Sequence, residues 1–429
     1  MFGSIFKNNK SSLYHYWNAR VVLVVLISFI LIISPAFAAY RIQAKQAWID
    51  TPDFPDRDYV ERLLALAHMP GFAVGIINEN GALDTYMFGE TTLNTGIEPN
   101  KDTIFLGGSL SKTITATAIM QLVEQGKILL DEDVSTYLPF QLRHPSYPEI
   151  PITVRMLLTH TAGFTNVQWR TFIYFSVLKY PLAWFDQYLM PGGMIYHEDN
   201  WNDYPPGEGI YYSSIGFDLL AFIVERVSDI PFETYCKHHI FEPLQMENTS
   251  YNLEDVSLDQ FTSIYGYLFG KYIPLPYYEI INDGSGGVYT TIEDISHFLS
   301  AHMNNGTYGS AQILTSESIQ LMHTPQTIGI PAYDIYRDGR NHGLGWIVWP
   351  DDNSSYEHGL QGHLGNVPGG LASMTVMNQN GVVFFGNEWF RISYSQTFIM
   401  FFLREYFHTK IKPIEIERLI EHIHFDYSH

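Results

Sequence analysis

The chain is poor in cysteine, in bases and in charge altogether. Of its 429 residues only Cys236 is a cysteine, so no disulfide closes within the chain and no thiolate cluster can hold a metal. An oxidising compartment is tolerated, not exploited. Lysine and arginine number 24 against 45 aspartates and glutamates, for a formal charge of −21. Such a surface repels phosphate backbones, and no basic stripe or base-stacking module reverses this, so nucleic acid is excluded as a partner. There is no internal repeat and no low-complexity tract. No His-Glu-x-x-His cluster occurs, and His422, His424 and His429 fall at i, i+2 and i+7, off any single helical face. No metal or other cofactor is called for.

What is present reads as a globular protein behind a leader. Hydrophobic residues make up 46% and charged residues 16%, and the 29 Tyr and 28 Phe serve as core filler or as aromatic cleft walls. Residues 1–20 hold Lys7, Lys10 and Arg20 and no acid, and Val21–Ile33 is an unbroken apolar run. Ser34-Pro35 breaks the run, and Ala36-Phe37-Ala38 offers the small-x-small pattern of a signal-peptidase site. Left uncleaved, the segment approaches the ~20 residues that span a bilayer. The bases precede it, which puts the body outside the cytoplasm. The expectation is an anchor in the cell membrane, or a periplasmic or extracellular protein if cleavage follows Ala38.

Beyond this leader (1–40), residues 41–57 read as a spacer, 58–404 as one catalytic domain and 405–429 as a helix-compatible, histidine-rich tail. Phe72–Ile77 and Ala82–Phe88 are strand-like and joined across Asn78-Glu79-Asn80-Gly81, a hairpin signal. Helical patterns follow at Thr113–Glu124, Val154–Leu158, Gly216–Val227 and Ile292–Met303. Strand patterns return at Gly345–Trp349, Ala372–Asn378 and Val382–Gly386, the last two separated by Gln379-Asn380-Gly381. Strands at both ends with helices between predict an α/β (α+β) domain: one antiparallel sheet closed by the two termini, flanked by helices, with an inserted helical lobe.

Ser-x-x-Lys occurs at Ser4–Lys7, Ser109–Lys112 and Ser176–Lys179, so the bare motif says little. Context separates the copies. Ser109 follows Phe105-Leu106-Gly107-Gly108 and precedes a helix with few polar positions, suited to a segment wedged between two lobes. A serine there sits at a helix N-terminus, where the dipole favours a developing alkoxide. Lys112, about one turn on, shares its face. A plain N-cap serine satisfies the same local pattern.

From Pro70 to about Trp389 the chain resembles the class C β-lactamase-related family, which includes β-lactamases, penicillin-binding proteins, D-alanyl-D-alanine carboxypeptidases, D-amino-acid peptidases and esterases. The blocks that carry the resemblance are Gly107–Thr113, Leu157–Phe164, Tyr211–Gly216, Ile240–Leu244, Gly286–Thr290, Gly343–Trp346 and Gly362–Asn366, in the family's order. The resemblance implies a β-lactamase/transpeptidase-like fold and an acyl-enzyme hydrolase without cofactor, acting on a small-molecule, peptide or ester substrate.

It also implies roles. Ser109 is the nucleophile and Lys112 helps remove its proton. Tyr212 occupies the tyrosine of a Tyr-x-Asn motif, where an ammonium beside a phenol favours the phenolate, making it the general base and later the general acid. The asparagine is replaced by Ser214, which is shorter and has one donor. The lost carboxamide bears on β-lactam hydrolysis more than on acyl transfer, and leaves as the alternative a slowly acylating penicillin-binding or sensor protein, or a catalytically impaired homologue with a binding role. The only literal Tyr-x-Asn, Tyr16-Trp17-Asn18, lies in the leader. His363-Leu364-Gly365 matches a Lys/His-x-Gly strand, with His363 as a positive or donor group opposite Tyr212, or else a packed polar residue on an edge strand. Gly365 allows close approach, and the N–H of Asn366 joins that of Ser109 as an oxyanion hole. The resemblance makes His160 a buttress of the cleft, not a catalytic residue.

Overall fold

The computed structural model describes residues 57–165, 185–268, 270–278, 283–333, 340–349, 360–377 and 379–389. The leader, the spacer up to residue 56, Ser176 and the C-terminal tail lie outside them. By compactness the chain divides at Tyr59/Val60, and of the first unit only residues 57–59 are described. Arg57, read from the sequence as the end of the spacer, already begins a helix, α1 (Arg57–Ala67), which buries Val60, Leu64 and Ala67 at helical spacing.

The strands β1 (Gly71–Ile77) and β2 (Leu83–Gly89) form the expected hairpin. Asn78 makes its turn: Oδ1 accepts from the N–H groups of Asn80 and Ala82, and Gly81 takes the left-handed φ of 78°. The helices α2 (Ser111–Glu124), α3 (Val154–Leu158), α4 (Ser214–Ser228), α5 (Ile292–Met303) and α6 (Ser316–His323) follow. The chain then returns to the sheet as β3 (Asn341–His342), β4 (Ile347–Val348), β5 (Gln361–Val367), β6 (Gly370–Met377) and β7 (Asn380–Gly386). The antiparallel order is β3-β4-β5-β6-β7-β1-β2, so the N-terminal hairpin closes against the last strand, with Phe72 opposite Gly386. This is the antiparallel sheet closed by both ends of the domain that the strand order predicted, and the β-lactamase/transpeptidase-like architecture that the resemblance implied.

Strand ends differ from the sequence reading by one or two residues in most places, and at two of them the packing shows why. The β6–β7 turn was expected at residues 379–381, but Met377 pairs with Asn380, and Gly381 lies inside the strand opposite Val376 and Ile77. Its missing side chain makes room for α5: a Cβ there would sit 2.6 Å from Met303 Sδ and 2.9 Å from Leu299 Cδ2. Likewise the expected 345–349 strand begins only at Ile347 and ends with the Trp349 N–H donating to the Leu360 carbonyl at 2.8 Å; at its start Gly345 takes a φ of 76° to pass Ala116, whose Cβ would be 2.4 Å from a side chain there.

The main core lies between the sheet and helices α2, α4 and α5, and includes Phe385, Phe105, Ile114, Phe217, Ile295 and Trp346. Phe105 stacks on Phe385 at 5.3 Å, tying the segment before Ser109 to the central strand. A smaller sheet of Ile264–Leu268, Lys271–Leu275 and Glu388–Trp389 stands apart in the hydrogen-bond pattern. No helix among the described residues is long and apolar enough to cross a membrane.

The closest constraint on the site is backbone clearance. A Cβ on Gly365 would lie 2.1 Å from the Gly107 carbonyl oxygen and 3.1 Å from Ala372 Cβ, so strand β5 and the turn before Ser109 pack glycine to backbone. Gly365→Ala is expected to destabilise the protein by about 1–3 kcal/mol, the usual cost of overpacking. Gly266→Ala, whose nearest contact would be 4.0 Å away, is expected to stay within about 0.5 kcal/mol of the parent. Urea denaturation of the two variants checks this, and equal costs would refute the clearance argument.

Candidate active site

The two-residue strand Phe105–Leu106 pairs with Tyr289–Thr290 and delivers the chain to a 3-10 turn, Gly108–Leu110, that runs directly into α2. Gly108 takes a φ of 53°, and its position faces Gly365 and the Asn366 nitrogen, which would lie 3.1 Å from a Cβ there. Ser111 fastens the turn: its hydroxyl donates to the Gly108 carbonyl at 2.9 Å and accepts from the Val288 N–H at 3.1 Å. Ser109, half-buried, is the middle residue of this turn, at the mouth of the helix.

Lys112 is wholly buried. Its Nζ lies 3.1 Å from Ser109 Oγ, 2.7 Å from the Ser285 carbonyl oxygen and 3.4 Å from Ser214 Oγ. Burial pulls its pKa down to about 7, against the opposing pull of the Asp218 charge. A neutral amine has two N–H donors and one lone pair. The Ser285 carbonyl can only accept and takes one N–H, Ser214 Oγ can take the second, and the lone pair is left for the Ser109 hydroxyl.

Tyr212 and Ser214 arrive from the start of α4. The Tyr212 ring is buried, with its centroid 4.9 Å from Lys112 Nζ, so the tyrosine and lysine expected to share the site do so. His160 braces it from behind. Its backbone is left-handed (φ 59°), its Nδ1 accepts the Ser213 N–H at 3.1 Å, and its ring lies 4.4 Å from that of Tyr212. Burial, with His342, Lys112 and His363 nearby, holds the His160 pKa well below the ordinary value. It is a neutral brace, in keeping with a buttress.

His363, Gly365 and Asn366 lie on β5, where Gly362 and Gln361 pair with β4 on one side. From His363 onward the described pairing of β5 is with β6 alone, which leaves an edge toward Ser109. The His363 ring lies 6.1 Å from that of Tyr212, opposite it as expected. Of the cation and the donor open at this position, burial and the charge of Lys112 remove the cation, lowering the pKa to about 3. Its Nδ1–H donates to the Leu364 carbonyl at 2.8 Å, since a carbonyl can only accept, and Nε2 keeps an acceptor lone pair.

Two groups escaped the sequence reading. The Ser285 carbonyl touches Lys112 more closely than any side chain does, and its only signal was the Gly284–Gly287 glycine run next to a family block. Asp218, wholly buried on α4, was legible only as one acid amid the apolar run Ile215–Val224.

Residues 57–386 match the Beta-lactamase family. Among curated proteins the chain is 25% identical over 299 residues to the D-alanyl-D-alanine-carboxypeptidase/endopeptidase AmpH of Escherichia coli (strain K12), covering 69% of this chain and 73% of that one. It is 26% identical over 346 residues to Penicillin-binding protein 4 of Amycolatopsis lactamdurans, covering 77% and 86%. Among solved structures, the octameric penicillin-binding protein homologue from Pyrococcus abyssi superposes with a TM-score of 0.65 at 25% identity, over 81% of this chain and 76% of that one. A class C beta-lactamase gives 0.61 at 20% identity over 81% and 97%, a likeness of fold. A family match that spans most of the chain, over the residues that build the Ser109–Lys112 turn and its surrounding strands, makes this protein a member of the Beta-lactamase family of serine hydrolases.

Proposed function

We propose that the protein hydrolyses an amide or ester bond through an acyl-enzyme on Ser109. The observation that carries this is the buried Lys112 amine, 3.1 Å from Ser109 Oγ, with its other two directions met by Ser285 and Ser214. Ser109 Oγ attacks the carbonyl carbon while its proton passes to the Lys112 lone pair, which takes the place of the Tyr212 phenolate expected from the resemblance because the buried amine is near-neutral and lies 3.1 Å from Ser109 Oγ. The developing oxyanion is met by the N–H groups of Ser109 and Asn366. Collapse breaks the bond to the leaving amine or alcohol, which takes a proton through Tyr212, and water then releases the acid from the Ser109 ester. The β5 edge offers backbone groups for an extended substrate, as a strand would.

The curated relatives include a D-alanyl-D-alanine carboxypeptidase/endopeptidase, which supports a peptide amide as substrate. The basic leader, the apolar run Val21–Ile33 and Ala36–Ala38 support action outside the cytoplasm, at or released from the membrane. A second reading, a slowly acylating penicillin-binding or sensor protein, is favoured by one observation: Ser214 stands where the family motif has asparagine, and reaches Lys112 at only 3.4 Å.

Ser109→Ala is expected to abolish labelling by a fluorophosphonate, while Ser176→Ala labels as the parent does. The parent rate has a defined pH course. Lys112 is protonated below about pH 7 and is then no proton acceptor, so kcat/KM for a neutral ester rises with pH through that value. It should be about tenfold lower at pH 6 than at pH 8. Undiminished labelling of the alanine variant, or a rate flat from pH 5.5 to 8.5, would count against the mechanism.

Ser214→Asn restores a carboxamide that can accept from Lys112 and donate to a substrate amide. One added bond of about 0.5–1.5 kcal/mol, or up to about 3 with a charged partner, predicts a gain of a few-fold to ~10²-fold in cephalosporin turnover, with less change for an ester. Steady-state rates on both substrates decide it. An unchanged or lower cephalosporin rate in a folded variant removes Ser214 as the determinant of substrate choice.

A further inference from the structure

Helix α4 presents one stripe to Lys112. Ser214, Phe217, Asp218 and Ala221 fall at i, i+3, i+4 and i+7, and so share a face. Three of the four can be located by contact. The Ser214 hydroxyl lies 3.4 Å from Lys112 Nζ, and the Phe217 ring centroid 5.8 Å from it. A Cβ on Gly284, next to the Ser285 carbonyl that holds Lys112, would lie 2.4 Å from the Phe217 carbonyl oxygen and 2.7 Å from Ala221 Cβ. Asp218 therefore belongs to the wall that closes over the lysine, and both side chains are fully buried.

The other titratable groups around the lysine are Tyr212 on the α4 approach, His160 after α3, His342 on β3 and His363 on β5. A histidine, neutral or cationic, offers no counter-charge to an ammonium, and burial holds His160 and His363 well below the ordinary imidazole range. Asp218 is the acid whose field reaches Lys112, and it acts against the desolvation of the amine. Carboxylates are rarely found fully buried unless something in the structure compensates for them.

We propose that Asp218 is a positioning residue for Lys112: a buried carboxylate whose charge lets the amine both take the Ser109 proton and hold it until it is passed on. This rests on the assignment of Lys112 as proton acceptor. Without a nearby negative charge, a dry amine would stay neutral throughout the working range. It would then be available to accept, but a poor store for the proton that the leaving group needs later. With the charge, the two protonation states lie close in free energy near neutral pH, where a relay works best.

The test uses the full chain and a neutral aryl ester, with fluorophosphonate labelling in parallel. In Asp218→Asn the rise of kcat/KM with pH should move to lower pH, so that the rates at pH 6 and pH 8 differ less than about twofold, against about tenfold in the parent. KM should be unmoved and kcat lower. Asp218→Glu should bring the rise back toward neutral pH, which a merely structural role would not do. If the asparagine variant does not fold, Asp218→Ser, which leaves room for a water, carries the same expectation. A parent that labels at Ser109 and shows the rise, with asparagine or serine variants whose rise does not move, overturns the role of Asp218 alone. A parent that does not label overturns the assignment of Lys112 and this proposal together.

Discussion

An amine taken entirely out of water is costly, and much of this structure is arranged around that cost. Removing the Lys112 head group from solvent favours its neutral form, so the surroundings must meet two N–H donors and one lone pair without supplying a full ion pair. They do so with a backbone carbonyl and two hydroxyls drawn from three separate segments, Ser285, Ser214 and Ser109. None of the three is close to Lys112 in sequence except Ser109. The fold therefore brings the lysine close to its neutral form and holds it beside the Ser109 hydroxyl.

The helix that carries the lysine is buried all round, from Ser111 to Leu122, although it holds three threonines. Each threonine hydroxyl turns back to a carbonyl: Thr113 to Leu110, Thr115 to Gly284 and Thr117 to Thr113. The threonine hydroxyls are thus satisfied within the dry layer, and the helix can be wedged between sheet and helical lobe. Beyond Thr117, His302 lies 3.2 Å away and His323 a further 3.2 Å, and His323 Nδ1 donates to Gln361 at the start of β5. Burial lowers the pKa of both histidines, so this link from α2 to β5 is a neutral one.

The strand opposite follows the same logic. His363 stands where a cation was open as one choice, but a second positive charge beside Lys112 in a low-dielectric site would be repelled, and the ring is neutral with its Nδ1–H already donated. The site thus presents a serine hydroxyl, a near-neutral lysine and a neutral imidazole along an open strand edge. That chemistry suits acyl transfer. It differs from the family pattern at Ser214, the place where substrate choice is most exposed to change.

Periodicity and turn chemistry were enough to find the hairpin at Asn78–Gly81, the long helices and the order of strands that closes the sheet, because local spacing dictates which face is apolar. The blocks around Ser109, Tyr212 and His363 pointed to one site, and the fold brings all of those residues together. The sequence could not show which Gly381 neighbours forbid a side chain, why Gly345 stays outside the strand that follows it, or that a carbonyl at Ser285 meets the lysine. Each depends on a backbone approaching from far along the chain, and leaves no periodic trace. The protonation states were likewise decided only in three dimensions. Sequence names Lys112, His160 and His363, but how far each is removed from water, and that the Asp218 charge reaches the lysine, exists only once the helices and the sheet have closed around them.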